Sequence, residues 1–352
     1  MALPLKQIGP FQGQEPLVPG AEMGVYRVTD TRTQHDCVLY VLDLHLQHDP
    51  VLLQRFRQTA HQTSPLRHEH LVPIVETGEA AHYAYAATGP LSGITLADYL
   101  QRHTNPLTIA EAIDLVQQIA AGLDAGHQQG LLHLALTPSE IWMSTEGQVQ
   151  VMGLGVPRPA RPVGEQAATD AESAGVAPAP SPFLAPEQAR GAEQIDQRAD
   201  VYSLGAIAYL LLVGQPPIQT DDPLLLARQI VYQSPTPPES LRPDLPPGMV
   251  SVLKFVLTKD PNLRYGGAGE FAGALLQAQR GQAGVPVTAT PGQPPWRQQA
   301  LDAVRLWPAH RRLLVASLLL ILLLVALLLA WRPFGRVLSE RTASADNQLG
   351  RP

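Results

Sequence analysis

Short segments in which apolar and polar residues alternate occupy the first quarter of the chain, and this pattern predicts β-strands. The segments are residues 25–29, 36–42 and 71–77, with a weaker one at 81–88. One helix is predicted among them, because apolar residues recur at helical spacing over residues 50–63. This part of the chain is therefore expected to form a sheet with a single helix.

From Leu91 onward the apolar residues follow the helical repeat. The predicted helices cover residues 96–103, 109–128, 200–213, 223–232 and 249–258. A β-rich part with one helix, followed by a larger helical part, predicts an α+β fold with two lobes. We place the lobes at residues 17–90 and 91–280, after an N-terminal extension of residues 1–16.

Two segments rich in proline, glycine and alanine interrupt this pattern. Residues 157–182 lie inside the helical part and are typical of a long flexible loop. Residues 281–312 have no periodicity at their start and are expected to form a linker and a juxtamembrane stretch.

An uncharged apolar run extends from Leu313 to Ala330, with Ser317 as its one polar side chain. At about 1.5 Å per residue, a helix of this length spans most of a hydrocarbon core of about 30 Å. The alternative is a buried core helix, but such a helix is seldom apolar on every side. With Trp307 and Trp331 at the two interfaces, the run predicts a transmembrane helix at residues 313–331, followed by a short tail at 332–352.

Arginines flank this apolar run on both sides, so the charge of the flanks does not determine its orientation. The first twenty residues lack the apolar stretch behind a basic start that marks a secretory signal. We therefore expect a single-pass protein of the cell inner membrane, with its large N-terminal part in the cytoplasm.

Charge and cysteine content narrow the possible partners. The net charge is −6 and no basic stripe is present, which argues against nucleic acid as a partner. One cysteine, Cys37, excludes an internal disulfide, and its apolar β-like surroundings favour a packed core thiol over a reactive one. The chain has three lysines: Lys6 lies ahead of the first predicted strand, and Lys254 and Lys259 lie late in the helical part.

Longer motifs resemble those of the bacterial Hanks-type serine/threonine protein kinases. The most specific is FLAPEQARGAEQIDQRADVYSLGAIAYLLLVGQPP at residues 183–217, which is similar to the family's APEQ motif, its D-x-Y-S-L-G helix start and its Y-x-L-L-x-G-x-P-P helix end. Residues 66–79, 122–143 and 259–266 resemble a strand entry, the approach to the catalytic loop and a late C-lobe motif. The resemblance covers about residues 17–280 and implies a two-lobed protein-kinase-like fold, with a β-rich N-lobe and an α-helical C-lobe.

The resemblance implies structural roles for five residues. Glu187 and Arg264 match a buried ion pair that holds the end of the activation segment on the C-lobe. Asp200 matches an aspartate that binds the backbone of the catalytic loop. His133 matches the histidine that packs under that loop, and Pro138 the proline that shapes it.

Residues that handle ATP and magnesium in such a kinase are replaced in this sequence. Phosphoryl transfer needs a lysine with a glutamate partner, a base and magnesium ligands. The replacements are Tyr40 for the lysine, Thr59 for its partner, Ala135 for the base, Thr137 for the loop lysine, and Glu140 and Gly153 for the metal-binding asparagine and aspartate. Glu140 still offers oxygen to a cation, but a solvated or capping carboxylate is the preferred interpretation.

Signs of nucleotide binding are vestigial. Gly20 and Gly24 are what remains of the glycine-rich loop, and a plain β-turn explains them better. Thr88 aligns with the gatekeeper residue. Pro90 removes an N–H of the segment between the lobes that would otherwise be available to adenine.

These replacements predict a pseudokinase that acts as a membrane-tethered signalling scaffold or regulator by binding other proteins, including an active kinase or its substrates. No cofactor or metal is expected. The alternative is a serine/threonine kinase homologue with residual binding of ATP and Mg²⁺ or weak activity. Phosphorylation of Thr169, Ser173 or Ser181 is a further option, although incidental hydroxyls in a spacer are the preferred interpretation.

Overall fold

The computed structural model describes residues 7–18, 23–44, 50–63, 65–103, 107–157, 181–220 and 222–282. Leu313 to Ala330, the tail after them, most of the linker, and Thr169 and Ser173 lie outside these residues. Within the described ranges, no helix combines the length and apolar character needed to cross a membrane. The predicted transmembrane helix therefore stays a prediction.

The N-terminal lobe is built on one antiparallel sheet of six strands with the order β1-β2-β3-β4-β6-β5. Its elements are β1 (Gln7–Ile8), β2 (Phe11–Val18), β3 (Met23–Asp30), β4 (His35–Asp43), α1 (Pro50–Thr63), β5 (Ile74–Ala80) and β6 (Tyr83–Thr88). Helix α1 contacts β5 and β6. The sheet thus begins ahead of Leu17, in a segment whose pattern predicted no strand.

Both faces of this sheet are buried. Successive side chains of a strand point to opposite sides of the sheet, and in β3 and β4 both sets include buried residues. The outer face carries Cys37 and Leu39 in a cluster with Phe11 of β2. The inner face carries Val38 and Tyr40 in a cluster with residues of α1 and the second lobe. Cys37 is a packed core thiol, as predicted, and burial raises its pKa to about 12.

The second lobe is mainly helical, and a small three-stranded sheet of order β7-β8-β9 lies at its start. Its elements are β7 (Ile94–Thr95), α2 (Leu96–Arg102), α3 (Ile109–His127), a 3₁₀ turn (Pro138–Glu140), β8 (Ile141–Met143), β9 (Val149–Val151), α4 (Pro186–Ala189), α5 (Arg198–Val213), α6 (Pro223–Tyr232), α7 (Pro238–Leu241), α8 (Pro247–Val256), a second 3₁₀ turn (Pro261–Leu263) and α9 (Ala268–Gln279).

Helix α5 is the centre of this lobe and is buried on nearly every side. It contacts α3, α8 and α9, so its side chains are apolar all round rather than along one stripe. Helix α3 begins with a capping box, in which Thr108 accepts from the backbone N–H of Glu111 and the Glu111 carboxylate accepts from the N–H of Thr108. The two-lobed α+β fold is confirmed.

Candidate functional site

The loop between α3 and the first 3₁₀ turn is held from below by a buried carboxylate. Asp200 of α5 accepts hydrogen bonds from the backbone N–H groups of His133 (2.8 Å) and Leu134 (2.7 Å). The same carboxylate accepts from Nε2 of His127, at 2.8 Å. Leu134 takes a positive φ of 60°, a strained conformation that these bonds stabilise.

His133 links this loop to the strand that follows it. Its Nδ1 accepts from the backbone N–H of Ala135, so Nε2 carries the proton and donates to the carbonyl oxygen of Met152, at 2.6 Å. Pro138 opens the 3₁₀ turn at its first position, where a missing N–H costs nothing. These contacts match the roles that the resemblance implies. The contribution of His127, by contrast, was not anticipated.

A buried ion pair joins α4 to the end of the second lobe. The two terminal nitrogens of Arg264 donate to the two carboxylate oxygens of Glu187, at 2.7 and 2.8 Å. The guanidinium also lies 4.8 Å from the ring centroid of Tyr202, and Lys259 lies over the same ring. Burial, and secondarily the charge of Arg264, lowers the pKa of Lys259 to about 8.

Two of the replaced positions meet across the cleft between the lobes. The phenol of Tyr40, on the inner face of the sheet, donates to Oε2 of Glu140, in the second lobe, at 2.9 Å. Tyr40 is 0% exposed and Glu140 is 2% exposed. The interpretation of Glu140 as a solvated carboxylate is therefore wrong, because the residue is buried and its carboxylate accepts from the phenol of Tyr40.

The other replaced positions carry no ionisable group. Ala135 and Thr137 are half-buried in the loop, and Thr59 is buried on α1, where its hydroxyl donates to the carbonyl oxygen of Arg55. Gly153 has a φ of 74°, in the region that favours glycine. Among the described residues, no group of three or more His, Cys, Asp or Glu side chains is placed to hold a metal ion.

The described lysines and Arg32 are engaged away from the pair of Tyr40 and Glu140. Lys254 donates to Glu239 and Lys259 donates to the carbonyl oxygen of Ile230, both within the second lobe. Arg32 bridges Asp30 and Glu76 on the first lobe. No described lysine reaches the pair of Tyr40 and Glu140.

The vestigial nucleotide-binding residues serve the packing of the first lobe. Gly24 lies in β3 rather than in the predicted turn, and a side chain there would collide with the ring of Tyr26. The hydroxyl of Thr88 accepts from the N–H of Val38 and donates to the carbonyl oxygen of Gly89. Gly20 lies outside the described residues.

A tryptophan that no sequence motif singled out lies in the buried cluster shared by the sheet and the second lobe. Trp142 follows Glu140 by two residues, is 2% exposed, and donates from Nε1 to the carbonyl oxygen of Ser92, at 3.0 Å. The guanidinium carbon of Arg27, on β3, lies 5.4 Å from the indole centroid. The sequence did contain a signal: Trp142 is a large aromatic residue two positions after Glu140, which aligns with a metal-binding asparagine of the kinase family.

We expect Tyr40→Phe to lower the free energy of unfolding by about 1–3 kcal/mol, because it removes a buried hydrogen bond to a carboxylate. Urea titration of the full chain in detergent measures this loss. Tyr85→Phe is the matched control: its phenol donates to Glu76 at 3.0 Å, but this carboxylate is partly exposed to water. A cost for Tyr40→Phe no larger than that of the control would contradict the buried pair.

Comparison with known proteins agrees with the resemblance. Residues 14–277 match the family model described as protein kinase domain. The chain is 34% identical over 269 residues to the serine/threonine-protein kinase PknB of Mycolicibacterium smegmatis, which covers 75% of this chain and 42% of that relative. It is 31% identical over 290 residues to the probable serine/threonine-protein kinase PknB of Bifidobacterium longum, which covers 80% and 41%.

This chain therefore spans about two fifths of the length of these curated relatives. Among solved structures, the kinase domain of PknI from Mycobacterium tuberculosis matches with a TM-score of 0.58 and 26% identity, covering 79% of this chain and 100% of that one.

Proposed function

This chain belongs to the protein kinase family, and we propose that it is a pseudokinase, which binds other proteins and does not transfer phosphoryl groups. The observation that carries the proposal is the hydrogen bond between Tyr40 and Glu140. It joins the position where the family has its phosphate-binding lysine to a position where the family has a magnesium ligand. A triphosphate with its metal ion would have to break this buried contact.

Charge supports the same conclusion. A nucleotide with Mg²⁺ needs cations and carboxylates that stabilise its phosphates in the transition state. Tyr40 offers a phenol that is neutral at pH 7, Gly153 offers no side chain, and Ala135 has no group that accepts a proton. Loss of a general base alone typically lowers a rate by about 10²–10⁴.

Internal contacts below the cleft hold the segment before α4 on the second lobe. The segment before α4 is held on α5 by the hydroxyl of Ser203, which donates to the carbonyl oxygen of Phe183, at 2.7 Å. Gln188 donates to the carbonyl oxygen of Leu134, at 2.7 Å, and Glu187 is bound to Arg264. A C-lobe that its own side chains hold in this way is compatible with a scaffold or regulator, and an active kinase or its substrates are the partners we propose.

The proposed location follows from the sequence. The apolar run from Leu313 to Ala330 tethers the kinase-like domain to the inner membrane, and the domain lies in the cytoplasm. Affinity capture from membranes of the native cell identifies the partner, and the proposed scaffold role predicts capture without added nucleotide.

Thermal unfolding of the full chain in detergent, with and without millimolar ATP and Mg²⁺, tests the proposal. A ligand that binds the folded state raises the Tm when its concentration exceeds its dissociation constant. Since we propose that the nucleotide does not bind, we expect no change in Tm. We also expect no incorporation of labelled phosphate into the chain or a general protein substrate. Incorporation that Glu140→Gln abolishes would overturn the pseudokinase assignment.

The second candidate is a serine/threonine kinase homologue that keeps weak ATP binding or activity. It is favoured by the similarity to serine/threonine-protein kinases and by the buried carboxylate that Glu140 retains. A rise in Tm that needs both ATP and Mg²⁺, and that Glu140→Gln removes, would select this candidate.

A further inference from the structure

The end of the cleft beside the segment that joins the lobes contains an aromatic side chain of the protein itself. The indole of Trp142 lies there, with its N–H bound to the backbone carbonyl of Ser92, at 3.0 Å. One face of the ring is covered by the guanidinium of Arg27, which also pairs with Asp36, at 3.0 Å. Strand β3 of the first lobe and strand β8 of the second lobe therefore meet at this ring.

The side chains around the indole are closed to water. Val25 and Val38 of the sheet are 1% and 0% exposed, Met152 of the second lobe is 0% exposed, and Leu91 of the connecting segment is 9% exposed. All four belong to the same buried cluster as Trp142. The indole and these four side chains are thus packed in one cluster that excludes water.

The contacts of the indole define the chemistry of the space. Its walls are apolar, the carbonyl oxygen of Ser92 accepts one hydrogen bond at the edge, and Arg27 offers a cation to a ring face. Such a space suits a flat, neutral bicyclic heteroaromatic molecule with one N–H donor, since ligand sites combine apolar walls with a few oriented polar groups.

We propose that Trp142 is a built-in occupant of the nucleobase end of the cleft, and that removal of its indole creates a site for flat bicyclic heteroaromatics with an N–H donor. This inference deepens the proposed function, on which it rests, because it explains how the lobes stay closed without a nucleotide. Together with the pair of Tyr40 and Glu140, it places an internal contact at each end of the cleft.

Chemical rescue of Trp142→Gly tests this inference. We expect the Tm of the full-length variant in detergent to fall, and millimolar indole to restore part of the loss. Benzofuran has the same shape but no N–H to donate to Ser92, so its affinity is expected to be about three- to tenfold lower. Wild-type protein, whose space is filled, is expected to show no rise in Tm with either compound.

Phe271→Ala is the matched control, because it removes a fully buried ring from α9, in the core of the second lobe. Its Tm should fall, and indole and benzofuran should act on it alike. If Trp142→Gly does not fold, Trp142→Ala is prepared with and without indole. Folded protein recovered with indole alone supports the inference, and folded protein recovered in neither case overturns it.

Two other results would overturn the inference. The first is a failure of indole to raise the Tm of the folded variant, and the second is an equal rise with indole and benzofuran. Neither result bears on the proposed function. The proposed function stands as long as the wild-type protein neither binds ATP nor transfers phosphate. A wild-type protein that binds ATP with Mg²⁺ contradicts the proposed function itself.

Discussion

Arg264→Met is expected to lower the free energy of unfolding by about 3–5 kcal/mol, the usual cost of breaking one side of a buried ion pair. The guanidinium is 0% exposed and binds both carboxylate oxygens of Glu187. It also donates to the carbonyl oxygens of Thr258, Arg198 and Lys259. Methionine fills much of the volume but leaves the carboxylate and three carbonyl groups without these donors. Urea titration of the full chain in detergent measures the loss.

A double-mutant cycle with Glu187→Leu separates the ion pair from the other contacts of Arg264. We expect the double variant to cost less than the sum of the single variants, because the second change removes the charge that the first leaves buried. Arg198→Met is the control, since its partner Asp196 is half-exposed and such pairs contribute about 0–1 kcal/mol. Additive losses in the cycle would contradict the coupling.

Much of the fold could be predicted from the sequence where apolar periodicity is strong. Helices α1 (Pro50–Thr63) and α6 (Pro223–Tyr232) have the predicted bounds, and α5 begins two residues earlier than predicted. Helix α9 was missed because its alternating alanines and glycines give a weak apolar stripe. The strand predicted at residues 71–77 begins at Ile74, since Pro73 has no N–H to donate to a neighbouring strand.

The site could be predicted less completely, because its contacts join residues far apart in sequence. The structural positions Asp200, Glu187 and Arg264 were identified from local motifs, and the structure brings each to the expected partner. The bond between Tyr40 and Glu140 spans 100 residues, and no local pattern relates a phenol on one strand to a carboxylate on a distant turn. The replacements at Tyr40 and Glu140 were therefore interpreted only as the loss of a lysine and of a metal ligand, whereas the structure shows a hydrogen bond between them.

Asp200→Ala carries the second large expected effect, a loss of about 3–4 kcal/mol of unfolding free energy. The carboxylate is 0% exposed and accepts from the backbone N–H groups of His133 and Leu134 and from Nε2 of His127. Each buried donor left without an acceptor costs about 1–3 kcal/mol, and relief of the buried charge offsets part of the sum. Urea titration measures the loss.

Asp124→Ala provides the control, because the Asp124 carboxylate also accepts from two backbone N–H groups, those of Ala268 and Gly269, but at the partly exposed start of α9. Loss of such a helix cap costs about 1 kcal/mol, since water replaces the carboxylate there. Asp200→Asn should fall between the two: its amide oxygen still accepts one N–H, while its NH₂ group faces another donor. Equal losses at Asp200 and Asp124 would show that burial of the loop donors is not what makes Asp200 important.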